Sequence, residues 1–327
     1  VLLAEMTNHI GGMSARIDNG DWSPAAGDVA AAADFFFHFD SDSSGSMALT
    51  LNANPGLLQS DFNSVSSGKD LASKLAGSDK TTDHSDWANN FQGWLGEGSA
   101  SPEALVQHWF AQLDELAVAR VAGELPLDPS GHAIEKMHVS PEGHDLQQLL
   151  AKFIGMAVFF SQGSDDYLDD DIANKGLLSS NAQSVKSGVA QPFSDLGHAW
   201  DEAFGYFGAA RDFNDYSDDE IAAKGGRDGW SSGYHDSNGD GSIDLKSEYN
   251  FGHSRNAAKR DRGSAESAKT DFTKDIFDAF IAGRSLILAA SDELSATELN
   301  ELKGYRDTIV SGWEAAVAAT AVHYINA

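Results

Sequence analysis

The 327-residue chain contains no cysteine. That single absence removes disulfides, thiolate catalysis, iron–sulfur clusters and cysteine-ligated zinc. Basic residues are also scarce, with 22 Lys and Arg against 50 Asp and Glu and a formal net charge of -28. A surface of that sign has no basic field with which to release phosphate counterions, so nucleic acid and anionic lipid are poor partners. The HExxH string of zincin peptidases is missing. No run of about 18 apolar residues occurs, so no transmembrane segment is expected. Convincing alternating strand runs are wanting too. The best candidate, MALTL at 47–51, reads equally well as an extended loop.

What is present begins with residues 236–248, DSNGDGSIDLKSE. Calcium needs six to eight oxygen ligands at about 2.3–2.6 Å, which a short loop supplies when alternate side chains turn inward around a glycine. Asp236, Asn238, Asp240 and Asp244 stand at positions one, three, five and nine of the EF-hand pattern. Gly241 takes the sixth position, Ser242 offers its backbone carbonyl at the seventh, and Ile243 is the apolar anchor. The bidentate glutamate belongs at position twelve, which here is Ser247, and Glu248 falls one residue late. The preceding GRDGWSSGYH is a poor helix. The pattern therefore predicts a structural calcium loop without a regular entering helix. The alternative is a surface turn rich in glycine and aspartate that binds nothing.

Elsewhere the apolar period is helical. Ser101 and Pro102 open a stripe over 101–122 through Leu105, Trp109, Leu113 and Leu116. Further helices are expected over 1–15, 144–161, 182–207 and 271–290, with Gly188, Pro192 and Gly197 kinking or breaking the third. Ser295 and Glu298 form a capping box for a last helix through Leu302, Ile309 and Trp313. Glycine and serine place loops in 40–70, 75–100 and 225–265. The expected fold class is all-α, a helical bundle, as one domain over 1–327 or two bundles of about 1–140 and 141–327, with 225–265 inserted as the calcium loop. Calcium loops of weak affinity fill outside cells, which points to a periplasmic or extracellular protein. The opening VLLAEMTNHI looks like a chain whose export signal has been removed, although a trimmed chain would read the same.

Residues 198–208, HAWDEAFGYFG, with DAF at 278–280 and GRSLI at 283–287, resemble a family of uncharacterised bacterial envelope proteins marked by a WDEAFGYFG segment. The stretches 152–171 and 246–264 look like further blocks of that family, so the resemblance spans roughly 100–290. The family is in turn similar to the imelysin-like, iron-regulated proteins. The resemblance implies an all-helical, export-destined protein, often a lipoprotein anchored through a removed N-terminal region. It also implies an association with iron or metal uptake and an outer-membrane or envelope transport partner. Imelysins carry a GxHxxE motif. Here the glycine, Gly197, directly precedes His198, and Asp201 stands where glutamate belongs, so the imelysin site does not transfer directly.

His198, Asp201 and Glu202 share one helical face and could hold a transition metal with a further ligand from another helix. Equally, they could hydrogen-bond across the bundle, with Arg284 or Arg211 as partner. The run SDDYLDDD at 164–171, with Asp165, Asp166, Asp169, Asp170 and Asp171, is a second and weaker calcium candidate. DSDSSGS at 40–46 starts like a calcium loop through Asp40 and Asp42 but lacks the later acid, and reads as a turn. Phe35, Phe36, Phe37, Trp200, Phe204, Tyr206 and Phe207 read as core. The functional expectation is a calcium-stabilised extracytoplasmic protein that binds a metal or assists uptake without catalysis. An imelysin-type metallopeptidase and a cell-surface interaction protein are the alternatives.

Overall fold

The computed structural model describes residues 1–66, 68–76, 101–290 and 292–326; the loop expected over 75–100 lies outside them from residue 77 onward. The protein is mostly helical and divides into two compact units, residues 1–51 with 60–158, and residues 52–59 with 159–327.

In the first unit, α1 (Leu2–Gly11) and α2 (Met13–Asp18) share the segment expected to be one helix and are separated at Gly12. Helix α3 spans Asp28–Phe37, α4 Pro102–Val121 and α5 Leu146–Ile154. Ser101 caps α4 by accepting from the Ala104 N–H at 3.1 Å, as the sequence predicts. The α4 stripe is fully buried at Phe110 and Leu113, and the Phe110 ring meets Phe37 edge-on at 5.9 Å; Met6 and Ile10 of α1 are fully buried as well. Asp114 sits in the middle of α4, yet its carboxylate accepts the Gly27 N–H at 2.7 Å and the Val29 N–H at 2.9 Å. Those are donors that the start of α3 would otherwise leave unmet, and a carboxylate there also suits the helix dipole. Beyond α5 the chain widens into π-helical turns over Gly155–Phe160, and the Ala157 carbonyl accepts from the Ala76 N–H at 2.7 Å. MALTL at 47–51 makes only an isolated bridge, Ala48 to Asp61.

In the second unit the expected helix over 182–207 is half replaced. Residues Gln183–Lys186 and Val189–Ser194 form an antiparallel hairpin, β1 and β2, and helix occupies only Asp195–Phe207, α6. The physical reason is the two-residue connection Ser187–Gly188, whose φ values of 53 and 78 are those of a turn matched to strand twist. Val185 and Val189, which lie within the span expected as helix, are about two-thirds exposed. Helix α7 (Gly252–Arg262) lies where loop was expected; α8 (Phe272–Ala289) and α9 (Ala296–Asn326) follow. Ser295 and Glu298 exchange the expected capping bonds ahead of α9. Trp200, Phe207, Phe213, Phe280 and Trp313 fill the core of this unit; Phe204 and Tyr206 pack against it half-buried.

Candidate functional site

The loop 236–248 is held between a stacked aromatic approach and a short β-like anchor. Upstream, the Trp230 ring stacks on His235 with centroids 3.8 Å apart, and the Arg227 guanidinium lies 3.8 Å from the same indole. Downstream, Tyr234 and Tyr249 pair across the loop's neck and stack at 5.2 Å. Ile243 is fully buried; its N–H donates to the Gly56 carbonyl and its own carbonyl accepts from the Leu58 N–H, both at 2.9 Å. The apolar anchor thus ties the loop to residues 52–59 of the same unit. Among the described residues no helix lies between Ala222 and Phe251, so the loop has neither an entering nor a leaving helix.

Inside the loop, carboxylates organise the backbone. The Asp236 carboxylate accepts the N–H groups of Gly239 at 2.8 Å, Asp240 at 3.1 Å and Gly241 at 2.9 Å. Asp240 accepts from the Ser242 N–H at 2.9 Å and from the Asn238 side-chain amide at 3.0 Å. Its pKa lies below the usual carboxylate range, chiefly through the Ser242 hydroxyl and then Asn238. Asp244 accepts from Gln59 Nε2 at 2.7 Å and from the Lys246 N–H at 2.9 Å. The Glu248 N–H donates to the Asp244 carbonyl at 2.8 Å, closing one helical turn that carries the glutamate back over the loop. Its Oε1 accepts the Ser237 N–H at 3.0 Å and its Oε2 the Asp244 N–H at 2.9 Å. The one-residue offset from the EF-hand pattern is absorbed by that turn. Glu248 is only 2% exposed. Its recorded partners are backbone N–H groups and the Ser237 hydroxyl, with no cationic side chain among them.

The other candidates disperse. Asp201 accepts from Arg284 Nε at 2.7 Å, whereas His198 Nε2 lies 3.5 Å from Glu202 Oε1 and its ring stacks on Phe193 at 4.9 Å. All four of these charged side chains are partly exposed. Among the described residues, no three His, Asp or Glu side chains are drawn together as a metal-ligand set, at 198–202 or elsewhere. In the 164–171 run, Asp170 pairs with Lys303 at 2.6 Å and Arg306 at 3.1 Å, and hydrogen bonds from those two cations hold its pKa low. Asp166 accepts from Gln162. Asp40 caps the one-turn helix Ser41–Ser44, accepting the Asp42 N–H at 2.9 Å, so that segment is a capped turn.

The WDEAFGYFG segment does its packing work on α8. Trp200 Nε1 donates to the Phe280 carbonyl at 2.9 Å, and its ring lies on Gly283, where any added Cβ would fall inside the indole. The partner of the segment's tryptophan is thus a glycine on α8.

Two features lie outside the candidates drawn from the sequence. A cleft of about 350 Å³ in the first unit gathers Glu5, His9 and Arg16. His9 there is lowered to about 4, by burial first and then by the Arg16 charge, so it is neutral at pH 7. A string G-x-S-x-G also occurs, at Gly229–Gly233, but it lies in turns rather than between a strand and a helix, and no hydrogen bond links Ser231 to His235. It is not a nucleophile elbow.

Fold and loop together define a mostly helical protein with a carboxylate-organised loop in its second unit. Residues 39–222 match the family described as a domain of unknown function (DUF4856), and the chain belongs to that family. The matched span includes the WDEAFGYFG segment and ends ahead of the 236–248 loop. No curated protein and no solved structure matches the chain.

Proposed function

We propose that this protein is a calcium-stabilised, non-catalytic binding protein of the cell exterior, with calcium held in the 236–248 loop. The ligands are the side chains of Asp236, Asn238, Asp240, Asp244 and Glu248 and the Ser242 carbonyl. Glu248 carries the reading. Its carboxylate is buried at the point where the loop closes and is held by loop N–H groups, which places an anionic oxygen pair over the loop with no cationic side chain to compete for it. Donor chemistry fits as well, since six oxygen ligands, four of them carboxylates, are what a hard cation of calcium's size requires. The four carboxylates are not drawn together in this structure, so binding calcium would turn them from backbone N–H groups towards one point. Loops of this kind fill at the calcium levels outside cells, which supports the periplasmic or extracellular location. The resemblance of residues 198–208 to envelope proteins supports an association with metal uptake and an envelope partner. The pairing of Asp201 with Arg284, and of His198 with Glu202, on partly exposed surface weighs against the metallopeptidase alternative at these residues.

Thermal melting of EDTA-treated protein with and without added calcium tests the proposal. Calcium at about 100 times its Kd adds about 2.7 kcal/mol of stability, a rise of several degrees in Tm. The double variant Asp240→Ala, Asp244→Ala should lose that rise. An unchanged melting temperature for the unaltered protein would remove calcium from the account.

A further inference from the structure

We propose that a cleft in the second unit, at the C-terminal end of α7, binds a small organic anion, an oxyanion group attached to an apolar body. The cleft has a volume of about 780 Å³ and is lined by Lys224, Lys259, Arg260 and Arg262, with His323 at the end of α9. That size falls within the range of small-molecule pockets. Not one of its lining residues is acidic, in a chain where Asp and Glu outnumber Lys and Arg by 50 to 22. Such a lining concentrates positive potential in one concavity of a negative molecule, which focuses anions there.

Two buried polar atoms belong to residues of the same lining. Arg260 Nε and Thr270 Oγ1 are both buried without a hydrogen-bond partner, and both residues line the cleft. Buried donors are rarely left unmet, because the desolvation cost is not recovered. Both atoms are closed off from solvent in this structure, so a carboxylate or phosphate oxygen would accept from them once the Arg260 and Thr270 side chains turn into the cleft. Basic residues at the end of a helix also favour its dipole, which would account for Lys259 and Arg262. Arg262 is in addition paired with Asp219. The dipole does not account for Lys224 and His323, which come from outside α7, or for the unmet Arg260 and Thr270 atoms. Phe272 and Val322 supply an apolar wall, so the ligand carries a body as well as a charge. The surrounding field of a chain with net charge -28 repels long polyanions, which confines the ligand to small molecules.

Calorimetric and amide-NMR titrations with phenyl phosphate, benzoate, inorganic phosphate and benzyl alcohol test the assignment. Phenyl phosphate or benzoate should bind with a Kd of about 1 mM or tighter, perturbing amides of residues 259–264 and 270; which of the two binds better tells phosphate from carboxylate. Arg260→Gln should weaken binding about tenfold or more, in line with a charge-assisted contact. Lys224 is exposed, so Lys224→Gln keeps the fold and should weaken binding about threefold, as loss of a more distant charge does. Three results would each overturn the proposal. One is the absence of binding up to about 10 mM, weaker than any specific pocket would give. The second is affinity unchanged in both variants. The third is binding by benzyl alcohol or inorganic phosphate as tight as by the organic anions.

Discussion

Trp200 and Gly283 show how little room single residues have in this protein. The indole lies on the α8 backbone because position 283 has no side chain, and its N–H reaches the Phe280 carbonyl. Gly283→Ala places a methyl group where the ring sits. Overpacking of that kind costs about 1–3 kcal/mol, so urea or thermal unfolding should show a loss of at least that size. A variant that unfolds like the parent would mean the ring is not seated there. Asp201 and Arg284, one residue further along the same two helices, are a partly exposed pair. Asp201→Asn and His198→Gln should each change stability by less than about 1 kcal/mol and leave metal content unaltered. A drop in bound zinc or iron in His198→Gln would instead support a transition-metal site. Both motif segments are visible in the sequence, but which residues meet is not: the small residue that receives the tryptophan lies some eighty positions away, and helical period says nothing about that.

Helices were legible where the signal was local. Ser101–Pro102 and the Ser295–Glu298 box mark the starts of α4 and α9 because a cap is a contact within a few residues. The hairpin was obscured because Val185 and Val189 also suit a helical stripe, and only the left-handed backbone of Ser187 and Gly188 settles the turn. Helix α7 was hidden by its polar composition and by the glycines around it. The loop proposed to hold calcium sits between these cases, with oxygen spacing that is local and a final glutamate placed by a turn. Glu248→Gln should abolish the effect of calcium on melting, whereas Ser247→Ala, which loses only a hydroxyl contact to Asp244, should retain it. The reverse result would put the twelfth position back in the ligand set. Limited proteolysis should cut EDTA-treated protein within residues 226–248 and spare the calcium-loaded form, since an empty acidic loop opens more readily.

Across the whole molecule, acidic excess makes stability depend on pH through a few coupled groups. Asp218 is raised to about 6, by burial first and then by the nearby Asp261 carboxylate. A carboxyl whose folded pKa exceeds its unfolded value binds more protons when folded. Its contribution is therefore complete below about 3.8 and is lost as pH rises through about 6. Glu220 behaves oppositely: hydrogen bonds from Arg227 hold it at about 2, so its contribution is present above about 4.5 and is lost as pH falls towards 2. Urea midpoints should accordingly fall as pH rises from about 4 to about 6, and fall again as pH drops from about 4.5 towards 2. Asp218→Asn should flatten the upper slope and leave the lower one. An upper slope unchanged in that variant would place the titration elsewhere.

The amino-acid order by itself determined the exclusions, the helical character and the spacing of loop oxygens, since each depends on composition or on residues a few positions apart. Tertiary structure decided the rest. It seats Trp200 on Gly283 and brings Lys303 and Arg306 to Asp170. It also gathers Lys224, Arg260 and His323 around one cleft. These meetings depend on how helices are rotated about their axes and how closely they approach, and packing sets both only when the whole core closes.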